Sequence, residues 1–174
     1  MEFRKATVKD IDRISEIYDL IHTEEENGNA SIGWVRGVYP VRKTAEDALT
    51  ADELYVLTDD ERVMASARCN RVQMPSYALG NWGIKAEDKD VFVMHTLTVD
   101  PKVARKGYGK AFVKFYNDLA KDRGCSVLRI DTQIKNITAR SLYTKLGFKE
   151  AGTVPTDFCG IPGVDLCLLE RNVL

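Results

Sequence analysis

Phe92-Val-Met-His-Thr-Leu-Thr-Val-Asp100-Pro101, followed by Ala104-Arg-Lys-Gly-Tyr-Gly109, decides how this chain is read. An apolar run passes into a basic turn with glycines at 107 and 109, and the turn opens an amphipathic helix. Phe112, Phe115, Tyr116 and Leu119 line one face of that helix, and Gly124 stops it. Such a helix start offers unpaired N–H groups and the positive end of the helix dipole. Arg105, Lys106 and Lys110 add formal charge at the same place. The combination suits a main-chain grip on phosphate groups.

Rival phosphate motifs fail on spacing. Gly107 and Gly109 are too close for a GxxxxGK[ST] loop. A GxGxxG/A fingerprint needs a small residue at 112, where Phe112 stands. Kinase signatures are absent. A turn whose glycines serve packing alone stays open as the alternative.

Beyond this turn, residues 127–131 read as a short buried strand. Then comes Asn136-Ile-Thr-Ala139-Arg-Ser-Leu142-Tyr143-Thr-Lys-Leu146-Gly-Phe148, which predicts a helix over 138–146 ending at Gly147. Upstream, residues 3–6 are a strand. Thr7 caps a helix carrying Ile11, Ile14, Ile17, Tyr18 and Ile21 on one side, which frays near Asn27-Gly-Asn. Residues 30–40, with Trp34 and Tyr39, read as a loop, and Thr44 caps a short helix through Leu49. Strands at 54–58 and 62–71 form a hairpin, while 74–90 is either an excursion or a loop over the site. Residues 148–152 and 164–169 finish as strands, separated by a loop holding Pro155, Gly160, Pro162 and Gly163. Helices interleave with strands, but the early strands pair as a hairpin. The sheet is therefore mixed, antiparallel first and parallel later, in one domain over 1–174.

Composition narrows the classes. The chain of 174 residues can bury a core without staples. A net charge of -1 gives no overall signal for nucleic acid or an anionic membrane. Cys69, Cys125, Cys159 and Cys167 form no CxxC pair, and only His22 and His95 are present to assist, so no metal site is expected. Buried thiols in a reducing cytosol are the expectation. Met1-Glu-Phe-Arg-Lys-Ala lacks a signal peptide's apolar run. No stretch approaches the ~20 apolar residues of a membrane span. A cytoplasmic address is expected by default.

The two motifs together resemble the GNAT superfamily of acyl-CoA-dependent N-acyltransferases. The family pattern at the turn, (Gln/Arg)-x-x-Gly-x-(Gly/Ala), matches at Gly107 and Gly109 and departs at Ala104. Arg105, one residue later, or backbone donors alone replace the missing contact. The second pattern, Asn-x-x-Ala-x-x-(Leu/Phe)-Tyr-x-x-Leu-Gly-Phe, matches at every named position from Asn136 to Phe148. Read without the family, Ala139, Leu142, Tyr143 and Leu146 are simply a helix face against the core.

The resemblance implies an α/β (α+β) fold: a central mixed, mostly antiparallel sheet of about six to seven strands flanked by about four helices. It implies acetyl-CoA as acyl donor co-substrate, and no metal. The strand would bond the pantetheine arm through the main chain of Leu97, Thr98 and Val99. The diphosphate would lie at Arg105, Lys106, Gly107, Tyr108, Gly109 and Lys110, with Asn136 and Ala139 completing the donor site. A bulge or splay following the strand would aim an N–H at the thioester oxygen. The Tyr143 hydroxyl would sit near the sulfur.

The chemistry accounts for a tyrosine there. Expulsion of a thiolate, with a conjugate pKa of ~8.5, allows a phenol near ~10 to give up or share its proton. An acceptor amine must lose a proton as well. His95, with the strand parity of Leu97 and Val99, suits that task, and arylalkylamine acetyltransferases look similar in placing a histidine there. Some relatives use a glutamate where this chain has Val93. Water relayed to Glu24, Glu25 or a carboxylate in the later loops is the competing route. Glu24-Glu25-Glu26 either attracts a cationic amine or ends the first helix in solvent, and Trp34 and Tyr39 either wall the acceptor or pin their loop.

The expected function is transfer of an acetyl group from acetyl-CoA to the primary amine of a small molecule, by direct attack in a ternary complex. No cysteine has a nucleophile's setting. The alternatives are a protein or peptide N-acetyltransferase, a non-catalytic acyl-CoA-binding module, and an acyltransferase for longer chains or oxygen acceptors. No nucleic acid or membrane partner is expected; a homodimer stays open, since many relatives pair.

Overall fold

Alternating apolar runs become strands and 3.6-spaced runs become helices in the computed structural model, which describes residues 1–174. In chain order the elements are β1 (Glu2–Lys5), α1 (Ile11–Glu26), α2 (Arg42–Thr50), β2 (Leu54–Asp59), β3 (Arg62–Asn70) and β4 (Val91–Val99). Then follow α3 (Tyr108–Asp122), β5 (Val127–Gln133), α4 (Ile137–Lys145), β6 (Lys149–Phe158) and β7 (Ile161–Asn172). One seven-stranded sheet runs β1-β2-β3-β4-β5-β7-β6. Only β4 and β5 are parallel, so the expected parallel portion shrinks to a single pair, and β7 inserts between β5 and β6.

Each face of the sheet buries its own core. Phe112 and Tyr116 of α3 and Tyr143 of α4 pack over Phe92 and Leu128 on one face. On the other, Ile14 and Ile17 of α1 cover Val56, and Tyr77 of the 74–90 excursion covers Val91 and Leu168. Burying an aliphatic side chain of this size stabilises by roughly 1.5–3 kcal/mol. Both layers are therefore held firmly against the strands that carry the site.

The sheet is split at its centre. Pairing of β4 with β5 ends at Met94↔Ile130, although β4 continues to Val99 along β3 and β5 continues to Gln133 along β7. Thr96 adopts φ +54, and the β3–β4 register shifts beside it. This is a bulge: one extra residue bends the strand away from its neighbour. It lies inside β4, before Leu97, and not after the strand as expected.

Two local expectations are corrected. The second helix begins at Arg42, two residues before Thr44; Val41 is the N-cap and donates its N–H to the Thr44 hydroxyl at 3.0 Å. The expected loop around Pro155 and Gly160 is a long β6–β7 hairpin instead. Pro155 pairs with Asp165 on the sheet's outermost strand, where a missing ladder donor is tolerated. Cys159 and Gly160, both at positive φ, make the turn.

Candidate active site

A cleft of about 470 Å³ passes through the split. At its donor end lies the turn 104–110, preceded by a 3₁₀ turn at Pro101–Val103. Arg105 at φ +67 and Gly107 at φ +89 both adopt the left-handed conformation. Within the turn, Ala104 and Lys106 donate to carbonyls, and Ala111 begins the helical ladder on Gly107. The amides of Arg105, Gly107, Tyr108, Gly109 and Lys110 donate to no main-chain carbonyl. Free donors around a left-handed glycine at the start of a fifteen-residue helix form an anion cradle. Arg105, Lys106 and Lys110 are exposed around it. The residues present thus fit a diphosphate.

From the cradle the cleft follows Leu97 and Val99 on one side and Ala139 and Leu142 on the other. Beyond Met94 the β5-facing edge of β4 has no strand partner, so its main chain is available to an extended ligand arm. Asn136 caps α4, its Oδ1 accepting from the Ala139 amide at 3.1 Å, and also lines the cleft.

At the middle stand Tyr143 and Asp131. Tyr143 is fixed by α4 and by its ring contact with Phe148, 5.8 Å between centroids. Burial, and then the neighbouring Asp131 carboxylate, raise its pKa above the usual phenol value. Tyr143 therefore stays protonated, and complete proton transfer to a thiolate is more costly than sequence chemistry suggests. Donating a hydrogen bond to developing negative charge is the role that fits. Asp131 follows Ile130 in β5 and reaches the cleft from the opposite face of the sheet, where it meets Tyr77. Burial raises its pKa to about 6, against an opposing hydrogen bond from the Tyr77 hydroxyl at 2.8 Å. A carboxylate with that pKa is ionised at neutral pH and is a better proton acceptor than an ordinary aspartate.

The acceptor end is built from distant segments. His22 bonds the Pro40 carbonyl at 2.9 Å, and Gln133 donates to the Gly33 carbonyl at 2.8 Å. Glu25 accepts from the amides of Ile32 and Gly33 at 2.6 and 2.7 Å, and Glu26 pairs with Arg36 at 2.7 Å. The glutamate run therefore divides: Glu25 and Glu26 hold the loop, and Glu24 lines the cleft. Trp34 and Tyr39 both line the cleft and pin their loop. Their rings meet edge to face at 6.0 Å, Tyr39 meets Phe158 at 5.3 Å, and the Tyr39 and Thr96 hydroxyls are hydrogen-bonded. The β6–β7 turn closes on this loop; a Cβ at Gly160 would lie 3.3 Å from Val38.

His95 is placed elsewhere. The Thr96 bulge sets Leu97 and Val99 on the face of Phe92 and Met94, so the expected shared parity with His95 fails. Its Nε2 lies 3.0 Å from Asn70 Oδ1 and 3.1 Å from the Val72 carbonyl, in a smaller cavity behind Tyr39. Burial, and then Arg68, lower its pKa to about 4. Thr98 also turns away, its hydroxyl 2.8 Å from that of Ser66. The Tyr108 ring is buried and its hydroxyl donates to Asp59 at 2.7 Å, leaving only its amide for the cradle. Asp131 and Tyr77 escaped the sequence analysis; the one available signal was an acid following Val127, Leu128 and Ile130 in a short strand.

No group of three or more His, Cys, Asp or Glu side chains is arranged to hold a metal, and no helix is long and apolar enough to cross a membrane.

The cleft, the split sheet and the cradle define an acyltransferase-type site, and the acetyltransferase (GNAT) family matches residues 14–148. The chain belongs to that family. It is 34% identical over 62 residues to the [ribosomal protein bS18]-alanine N-acetyltransferase of Escherichia coli K12, covering 36% of this chain and 42% of that protein. The chain thus matches less than half the length of the curated relatives it resembles first. In fold it is similar to a GNAT family acetyltransferase of Streptococcus agalactiae 2603, with TM-score 0.77, 21% identity and 98% and 94% of the two chains covered. It is similar also to YncA, an acetyltransferase of Salmonella typhimurium solved with its cofactor acetyl-CoA, with TM-score 0.69, 17% identity and 99% and 94% covered.

Proposed function

We propose that the protein transfers an acetyl group from acetyl-CoA to the primary amine of a small molecule, by direct attack in a ternary complex. Family membership and the free amides at 104–110 support the donor. Arg105, Lys106 and Lys110 surround the diphosphate, while the open edge of β4 and the cap residue Asn136 hold the pantetheine arm. Asp131 accepts the proton of the incoming amine. Tyr143 donates a hydrogen bond to the departing sulfur, and the two act from opposite faces of the split sheet. The carboxylate serves the acceptor side and the phenol serves the donor side.

The observation that carries the small-molecule reading is the contact between two segments at the acceptor end. Tyr39 packs on Phe158 and the Gly160 turn lies against Val38, so the 30–40 loop and the β6–β7 hairpin meet there and narrow the room for an extended peptide. The Escherichia coli relative acts on a ribosomal protein, so an alanine-starting peptide belongs in the test. Release of free CoA, with the product mass read for a panel of small amines and that peptide, checks the proposal. Acetylated small amines are expected. Acetylation of the peptide alone would overturn the small-molecule reading, and failure to bind acetyl-CoA would overturn the whole.

A further inference from the structure

We infer that the acceptor is a primary monoamine with an apolar body and no carboxylate beside its amine. This rests on the acetyl-transfer reading above and narrows it. The charged side chains at the acceptor end are both acidic: Asp131 at the centre and Glu24 nearer the loop. No lysine, arginine or histidine lines that end of the cleft; its only arginine, Arg105, belongs to the donor turn. Arg68, already paired with Glu53, and His95 lie in the separate cavity behind the hydrogen-bonded Tyr39–Thr96 pair.

Gln133 holds the Gly33 carbonyl and the amides of Ile32 and Gly33 are taken by Glu25, while Asn29, Ser31 and Thr132 line the cleft with no side-chain hydrogen bond. An α-amino acid placed with its nitrogen at Asp131 would bring its own carboxylate to within a few ångströms of that aspartate, with no cation to offset it. Like charges a few ångströms apart in a cleft repel more strongly than they do in bulk water. A protonated amine alone meets the opposite field: Glu24 forms no ion pair within the protein and is free to attract it.

The walls specify the rest. Trp34, Tyr39 and Phe158 form a chain of edge-to-face rings, and Ile21, Ile32 and Leu166 complete an apolar surface. A hydrocarbon or aryl body gains from burial on this surface, where a second amine, a hydroxyl or an amide would lose its water without a partner. A polyamine suits the charge of the site but not its walls.

The test pairs 2-phenylethylamine with phenylalanine, which differ by one carboxylate, and adds isoamylamine, spermidine and an alanine-starting peptide. Acetyl-CoA binding is first measured by calorimetry. The expected kcat/KM for 2-phenylethylamine exceeds that for phenylalanine by 100-fold or more, with isoamylamine next in rank. Trp34→Ala is expected to raise KM for 2-phenylethylamine ten-fold or more while leaving the Kd of acetyl-CoA within two-fold, and Trp34→Phe to recover most of the loss. Preference for phenylalanine or spermidine, or turnover of none of the panel by protein that binds acetyl-CoA, overturns this inference and leaves acetyl-CoA use standing. A clear preference for the peptide overturns the small-molecule reading with it. Absence of acetyl-CoA binding overturns both at once.

Discussion

The two ends of the cleft are made in different ways. The donor end is local: a strand, a turn of seven residues at 104–110 and the first turn of α3, with α4 following one strand later. The acceptor end is assembled from the α1–α2 loop, the 74–90 excursion and the β6–β7 hairpin. Its contacts span the chain: Tyr77 to Asp131 over 54 residues, Tyr39 to Thr96 over 57 and Gln133 to Gly33 over 100. A main-chain grip on diphosphate needs only one well-formed helix start. Recognition of a particular amine needs side chains brought together by the whole fold, and such residues vary without disturbing the grip.

The comparison breaks most readily at the centre. Asp131→Asn is expected to lower kcat/KM by 100-fold or more at pH 7.5 while acetyl-CoA still binds. In the unaltered protein kcat/KM should rise with pH through about 6 as Asp131 ionises, and the variant should lose that limb. The same residue costs stability. Because its folded pKa is raised from 3.8 to about 6, the folded protein keeps a proton that the unfolded chain has already lost, and stability falls across that window as pH rises. Allowing for water in the cleft, Asp131→Asn should gain about 1–2 kcal/mol above the window and little below it, read by urea unfolding at two pH values.

Tyr143→Phe is the next largest. Turnover should fall ten-fold or more with the acetyl-CoA Kd nearly unchanged, and equal turnover would remove Tyr143 from the mechanism. Gly107→Ala addresses the donor end alone. An added Cβ meets no atom within 4 Å, but φ +89 is a strained conformation for alanine, at a cost of about 1–2 kcal/mol. The Kd of acetyl-CoA should rise several-fold with the acceptor KM unmoved. His95→Gln should do least: kcat within about three-fold of the parent and the acidic limb retained. Loss of that limb in this variant would return the base role to His95.

How much of this was legible follows the same division. Asn136, Tyr143 and the glycines of the turn stand in one short stretch with local spacing, so the cradle and α4 could be read directly. The side of β4 that His95 occupies could not. It depends on a left-handed threonine, a conformation that no residue pattern announces, and one bulge reverses every later side chain. The β6–β7 hairpin was hidden by Pro155 and Gly160, which read as loop residues until β6 is known to be an edge. Asp131 looked like the end of a strand. Its raised pKa comes from burial, which no sequence neighbour of Asp131 supplies.

The central claim is that the amides of the 104–110 turn hold the diphosphate, and it can be tested amide by amide. Titration of ¹⁵N-labelled protein with CoA should shift the N–H signals of Arg105, Gly107, Tyr108, Gly109 and Lys110 strongly. The signals of Ile32 and Gly33, already bonded to Glu25, should stay in place. Saturable binding that leaves those five amides unmoved, or no binding at all, would contradict the account.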